Sequence, residues 1–116
     1  MTQKTIAVDF DGVIHRYSKG WQDGSIYDSP VEGSEKQLKK LVDKGYKVVI
    51  FTTRVNPEMG DNVEVEREKM RKWLSSNGFK ENVHYHEITA LKPKASFYID
   101  DRAIRFTDWE DISKYF

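Results

Sequence analysis

Apolar residues fall along this chain in two rhythms. Ile6-Ala7-Val8 and Val48-Val49-Ile50-Phe51 are unbroken apolar runs, too short for helices and rich in β-branched side chains, which predicts strands buried on both faces. The first run leads into Asp9-Phe10-Asp11-Gly12-Val13-Ile14 and must end where acidic residues and a glycine appear. Between the two runs, Gly33-Ser34-Glu35 opens a stretch in which Leu38, Leu41 and Val42 recur at helical spacing with lysines opposite, and Gly45 stops it. Strand, helix, strand at this length is a βαβ unit, whose right-handed crossover brings both strand ends to one edge of a parallel sheet. Thr52 is therefore expected near Asp9.

The remaining pattern is weaker. Residues 15–30 carry turn residues and scattered aromatics without steady period, and read as an excursion, with room for a small hairpin, over the end of the first strand. Tyr17, Trp21 and Tyr27 in it are either anchors for a long loop or substrate contacts. A polar loop, Val55 to Asn62, is expected to cover the site from another side. It leads to a charged helix from Val63 to Leu74 with Val63, Met70, Trp73 and Leu74 as its buried stripe, stopped at Asn77-Gly78. Short strands are predicted near Tyr85–Ile88, Ser96–Ile99 and Ile104–Phe106, followed by a short helix begun by Thr107-Asp108. No internal repeat or low-complexity tract interrupts the pattern.

Composition narrows the classes. The 116 residues suit one domain, 1–116, with little left for a second lobe. Lysine plus arginine and aspartate plus glutamate both total 19, so bulk charge argues for neither a nucleic-acid nor a membrane partner. There is no cysteine, which excludes disulfides, thiolate metal sites and a cysteine nucleophile. No apolar stretch approaches the length of a signal peptide or membrane span, and a soluble, cytoplasmic protein is the expectation.

Chemistry concentrates at the strand ends. If extended geometry persists past Val8, Asp9 and Asp11 point to one spot while Phe10 turns into the core. Two carboxylates held that close are relieved by sharing a proton or by binding a hard divalent cation such as Mg2+, and Gly12 lets the backbone turn sharply beside a ligand. Asp-x-Asp-Gly is also ordinary turn chemistry. What adds weight is that Thr52 with Thr53, Lys92 or Lys94, and Asp100 with Asp101 also fall at or beside strand ends, the edge where open parallel sheets bind ligands. A cation on carboxylates, an anionic partner on hydroxyl and backbone N–H groups, and a lysine for the remaining charge together fit phosphoryl transfer.

In this order the segments resemble the motifs of the haloacid dehalogenase superfamily of phosphohydrolases, in its small, capless form. Asp9-Phe10-Asp11-Gly12-Val13 is similar to the first motif, Thr52 to the second, Lys92 to the third and Tyr98-Ile99-Asp100-Asp101 to the fourth. The resemblance implies an α/β, three-layer Rossmann-like (HAD-like) fold with a mostly parallel central sheet and no large cap domain. It also implies a Mg2+-dependent phosphatase in which Asp9 is the nucleophile, forming an aspartyl-phosphate, and Asp11 the general acid/base. Thr52 and Lys92 would complete the catalytic set, with Thr53 and Lys94 as their alternatives. Thr53, Arg54 and Gly12 would line the phosphate. Asp9, Asp11 through its backbone carbonyl, and Asp100 would hold the metal, with Asp101 a ligand through water or an orienter of Lys92.

Other readings stay open beside this one. Thr52 can be a helix cap, the lysines solvated, and Asp100-Asp101 a capping pair for the turn into Arg102. Arg54 can be a structural partner for a carboxylate. His84 and His86 lack a third ligand nearby and, with His15, read as ordinary residues. A phosphoacceptor signalling domain similar to a receiver uses the same residue types, but with the adjacent acidic pair first in the chain. An inactive phosphate-binding domain of the same architecture is the third reading. The substrate class spans a small phosphorylated metabolite, a nucleotide, a polynucleotide end or a phosphoprotein, and oligomeric state is open.

Overall fold

The computed structural model describes residues 3–59 and 62–116; Gly60 and Asp61, in the polar loop expected over the site, lie outside the described residues, as do Met1 and Thr2. Strand β1 (Thr5–Val8) is followed by helix α1 (Ser34–Asp43), β2 (Lys47–Phe51), 3-10 turns at Thr53–Val55 and Pro57–Met59, helix α2 (Val63–Ser76), the short strands β3 (Glu87–Thr89) and β4 (Phe97–Ile99), and helix α3 (Trp109–Ser113). All strand pairs are parallel, in the order β3-β2-β1-β4. This is an α/β fold compatible with a Rossmann-like arrangement. No helix among the described residues is long and apolar enough to cross a membrane.

The two apolar runs occupy the sheet's centre, where both faces are covered: Ile6, Ala7, Val8, Val48, Val49 and Ile50 are all buried. Ile6, Val8, Val48, Ile50 and Ile88 share one face with Leu38 of α1 and Met70 and Leu74 of α2 in a single cluster. Each large apolar side chain fully buried there contributes about 1.5–3 kcal/mol. Asn62, whose side chain accepts from Val65 N, starts α2, and the backbone N–H of Asn77 closes it on the last carbonyls.

The last third differs from its prediction. Ile104–Phe106 forms no strand. A strand exists only where a neighbour supplies hydrogen-bond partners, and Phe106 instead packs edge-on against Trp109, at 5.4 Å between centroids. The predicted 85–88 strand shrinks to β3, because His84 lies in a turn where its Nδ1 accepts from Lys80 N at 2.9 Å and its Nε2 bonds Glu35 at 2.7 Å. In β4, Phe97, Tyr98 and Ile99 are all exposed, at 59%, 45% and 42%. That edge strand is thus placed by backbone pairing with β1 more than by side-chain burial.

The 15–30 excursion is clamped at its base, where Arg16 N donates to Ser29 O at 3.0 Å and Val31 N to Ile14 O at 2.7 Å. From α2, Trp73 Nε1 donates to the carbonyl of Asp28 at 3.1 Å, fixing the excursion to the helix. The loop is therefore held over the carboxyl end of β1 from two sides.

Candidate functional site

Strand register brings the acidic residues together. Val8 pairs with Ile99, and the next N–H along, that of Asp9, donates to Ile99 O at 2.9 Å, so Asp9 and Asp100 leave the sheet side by side. Asp101 follows. One carboxylate oxygen from each of Asp9, Asp100 and Asp101 lies within 4.8 Å of the others. Three hard oxygen donors at this spacing suit a divalent cation of the Mg2+, Ca2+ or Mn2+ type. Asp100 is oriented by Arg102 N, which donates to its Oδ1 at 2.8 Å.

This crowding has an electrostatic consequence. The carboxyl of half-buried Asp9 is pushed up to about 7, first by burial, then by its hydrogen bond with Asp101 and by the charges of Asp100 and Asp101. The Phe10 N–H, which donates to Asp9 Oδ1 at 2.8 Å, works in the opposite direction.

Extended geometry does not persist to Asp11. The Phe10 carbonyl accepts from the N–H groups of Ile14 and His15, at 2.9 and 3.0 Å, and the chain curls around it. Phe10 itself is fully buried, as its alternation with the aspartates predicts. At Gly12 φ is +85°, and a Cβ there would lie 2.8 Å from Asp101 Cγ and overlap its carboxylate. The glycine is needed both for the turn and for the approach of Asp101. Gly12→Ala is expected to cost about 1–3 kcal/mol, from left-handed strain and displacement of Asp101, and to weaken cation binding in a calorimetric titration.

The side chain of Asp11 faces a different set of partners from Asp9. Arg54 grips it with two bonds, Nε to Oδ2 at 2.7 Å and Nη2 to Oδ1 at 3.0 Å, while Nη1 reaches Gly24 O at 2.9 Å. Fully buried His15 supplies a further bond, Nδ1 to Asp11 Oδ1 at 2.8 Å. The other ring nitrogen, Nε2, accepts from Asp28 N at 3.0 Å, which makes Nδ1 the donor. Asp11 is thus fixed by a buried guanidinium fork and an imidazole of set tautomer.

A cavity of about 250 Å³ is lined by Asp9, Asp11, Tyr17, Phe51, Thr52, Thr53, Asp100, Asp101 and Arg102. Buried Thr52 caps the 3-10 turn, its Oγ1 accepting from Arg54 N at 3.2 Å, and its hydroxyl hydrogen is free to donate. The cap reading and the cavity reading of this residue both hold. Neither Lys92 nor Lys94 lines this cavity. Lys92 Nζ stands 5.0 Å from the centroid of the Tyr98 ring, and both lysines are exposed. Among the described residues that line the cavity, the cation is Arg102.

Two contributors, Arg102 and His15, carry no site role in the sequence reading, and a third, Tyr17, stands there as either a loop anchor or a substrate contact. Arg102 was legible as the cation following the acidic pair. His15, at four residues from Asp11, gave no periodic signal because it acts from a turn. Tyr17 reaches the cavity from the excursion with φ of 57°, a conformation no pattern predicts. Fold and site together define an α/β protein with an acidic, cation-suited cluster at the carboxyl edge of a parallel sheet. Comparison with protein-family models, curated proteins and solved structures gave no match.

Proposed function

We propose that this chain is a Mg2+-dependent phosphomonoester hydrolase of the haloacid dehalogenase type, working through an aspartyl-phosphate on Asp9. The observation that carries the reading is the meeting of Asp9, Asp100 and Asp101 in one oxygen cluster, beside a threonine hydroxyl and a separately held Asp11. An Asp9 carboxylate oxygen would attack phosphorus as the ester P–O bond breaks, the departing oxygen taking a proton from Asp11. Water would then attack the aspartyl-phosphate, giving its proton to Asp11, releasing inorganic phosphate and restoring the Asp9 carboxylate. A divalent cation held by Asp9, Asp100 and Asp101 would supply positive charge that favours the ionised form of Asp9 and offsets the phosphoryl oxygens. Thr52 and Thr53 would donate to those oxygens, and Arg102 is placed to take the charge-neutralising role that the resemblance gives to Lys92.

This reading carries with it the three-layer form of the fold, the lack of a large cap within these residues, and a cytoplasmic setting. Purified protein is expected to hydrolyse p-nitrophenyl phosphate continuously with Mg2+ and to stop when EDTA is added. A phosphoprotein that accumulates without turnover would replace the enzyme with a phosphoacceptor domain. No reaction and no calorimetric Mg2+ binding would leave an inert domain.

A further inference from the structure

Beside the acidic cavity lies a larger one, of about 590 Å³, and the two share Asp11, Tyr17 and Thr53. Its other walls are Trp21, Asp23 and Gly24 from the excursion, Arg54 from the turn after β2, and Asn62, Val65, Glu66 and Lys69 from the start of α2. Asp11, the residue assigned to the ester oxygen, stands on the boundary. A phosphoryl group at Asp9 would therefore have its leaving group directed into this second space.

The walls restrict what that group is. Asp11 is paired with Arg54 at 2.7 Å and Glu66 with Lys69 at 3.1 Å, which leaves the Asp23 carboxylate in excess. Asp23 is held in its ionised form by Ser25. A second phosphate entering here meets the Asp23 carboxylate and no unengaged cationic side chain among the described lining residues. Trp21 is 62% exposed, a large apolar surface left on the wall of this cavity, and its ring is set by the Arg54 guanidinium, 5.6 Å from its centroid. The volume lies in the range of small-molecule sites.

We propose that this cavity seats an uncharged, flat ring system on the leaving group, so that the substrate is a nucleoside monophosphate or its close chemical equivalent and not a phosphorylated chain. The inference rests on the phosphatase reading and narrows it. Trp21 supplies the stacking wall, Thr53 and Asn62 supply polar groups for the sugar and ring edges, and the Asp23 carboxylate turns away further phosphates.

The test compares initial rates on a nucleoside 5′-monophosphate, ribose 5-phosphate, a 5′-phosphorylated trinucleotide and acetyl phosphate, with Mg2+ present. The mononucleotide is expected to exceed ribose 5-phosphate in kcat/KM by about tenfold, the scale of base stacking on an aromatic side chain. The trinucleotide is expected to fall below both. In Trp21→Ala, shown to be folded by its melting curve, the preference for the mononucleotide over ribose 5-phosphate should disappear, and Trp21→Phe should restore most of it. Equal kcat/KM for mononucleotide and ribose 5-phosphate, or a preference that survives Trp21→Ala, overturns the inference while hydrolysis itself upholds the phosphatase. Failure to hydrolyse any of the four, acetyl phosphate included, overturns both.

Discussion

Asp9→Asn is expected to abolish phosphate-ester hydrolysis and, in the absence of divalent cations, to make the protein more stable above neutral pH. On the proposed mechanism the loss of activity would follow from removing the nucleophile, for which a fall of about 10⁴-fold or more is the usual scale. The gain in stability follows from crowding. In the unfolded chain Asp9 releases its proton near 3.8, and in the folded protein near 7, because burial and the neighbouring Asp101 and Asp100 oppose its charge. Between those values the folded state holds more protons than the unfolded one, so the favourable contribution present at low pH is lost as pH rises through about 7. Asparagine keeps the shape without the charge. The gain should be on the order of 1 kcal/mol, since solvent screens a half-exposed group, or about 4 °C in melting temperature for a domain of this size. Mg2+ should raise the melting temperature of the wild type at pH 8 and have much less effect on the variant. An asparagine variant melting lower than wild type at pH 8 without metal would refute the crowding argument, and one retaining hydrolysis would refute the nucleophile.

Arg54→Met is expected to be severely damaging although Arg54 lies outside the acidic cluster. The Arg54 side chain is 3% exposed and holds Asp11 with both of its forward nitrogens, so the variant leaves a largely buried carboxylate with only His15 as partner. Breaking such a pair by removing one member costs about 3–5 kcal/mol. The variant also releases the Gly24 carbonyl and the backing of Trp21, loosening the excursion. Arg54→Lys keeps the charge but not the two-pronged geometry, and should fall between the two. Denaturant midpoints measure the first effect. In enough stabilising osmolyte to keep the variant folded, kcat should still fall about 100-fold, the scale on which small misplacements of a catalytic group act. Unchanged kcat in folded Arg54→Met would remove Asp11 positioning from the account.

Arg54 also shows how a sequence reading divides between function and structure. As a cation after a threonine at a strand end it reads either as a phosphate contact or as a structural partner for a carboxylate, and its bonds to Asp11 are those of the second reading. In the folded chain three of its nitrogens are engaged by Asp11 and Gly24, and it serves the site through the residues it holds. The residue it grips lies far away in the chain, and no local spacing reports that pairing. Lys92 carries the same lesson in reverse. A lysine before a proline and an acidic strand reads as a site cation, but a long exposed side chain takes whichever partner lies within reach, and here Lys92 Nζ stands over the Tyr98 ring.

Much of the frame was legible locally. The apolar runs fixed β1 and β2 because a strand buried on both faces has no polar position to spare, and the crossover rule then placed Thr52 on the edge where Asp9 ends. Asp108, read as the start of the last helix, caps α3 by accepting from Asp111 N at 2.8 Å. The short segments beyond Tyr85 were legible only in part, since a run of three apolar residues becomes a strand only if another strand lies beside it.

The chain's own order of residues determined that two buried strands would end in acidic and hydroxyl groups at a common edge, because alternation, run length and turn chemistry are local properties. Only the tertiary structure decided that Asp101 would press against Gly12, that His15 and Arg54 would hold Asp11, and that Trp21 would wall a second cavity. Each of these depends on side chains whose separation in space is set by strand register and by how the 15–30 loop is clamped, and neither quantity is written in any stretch of neighbouring residues.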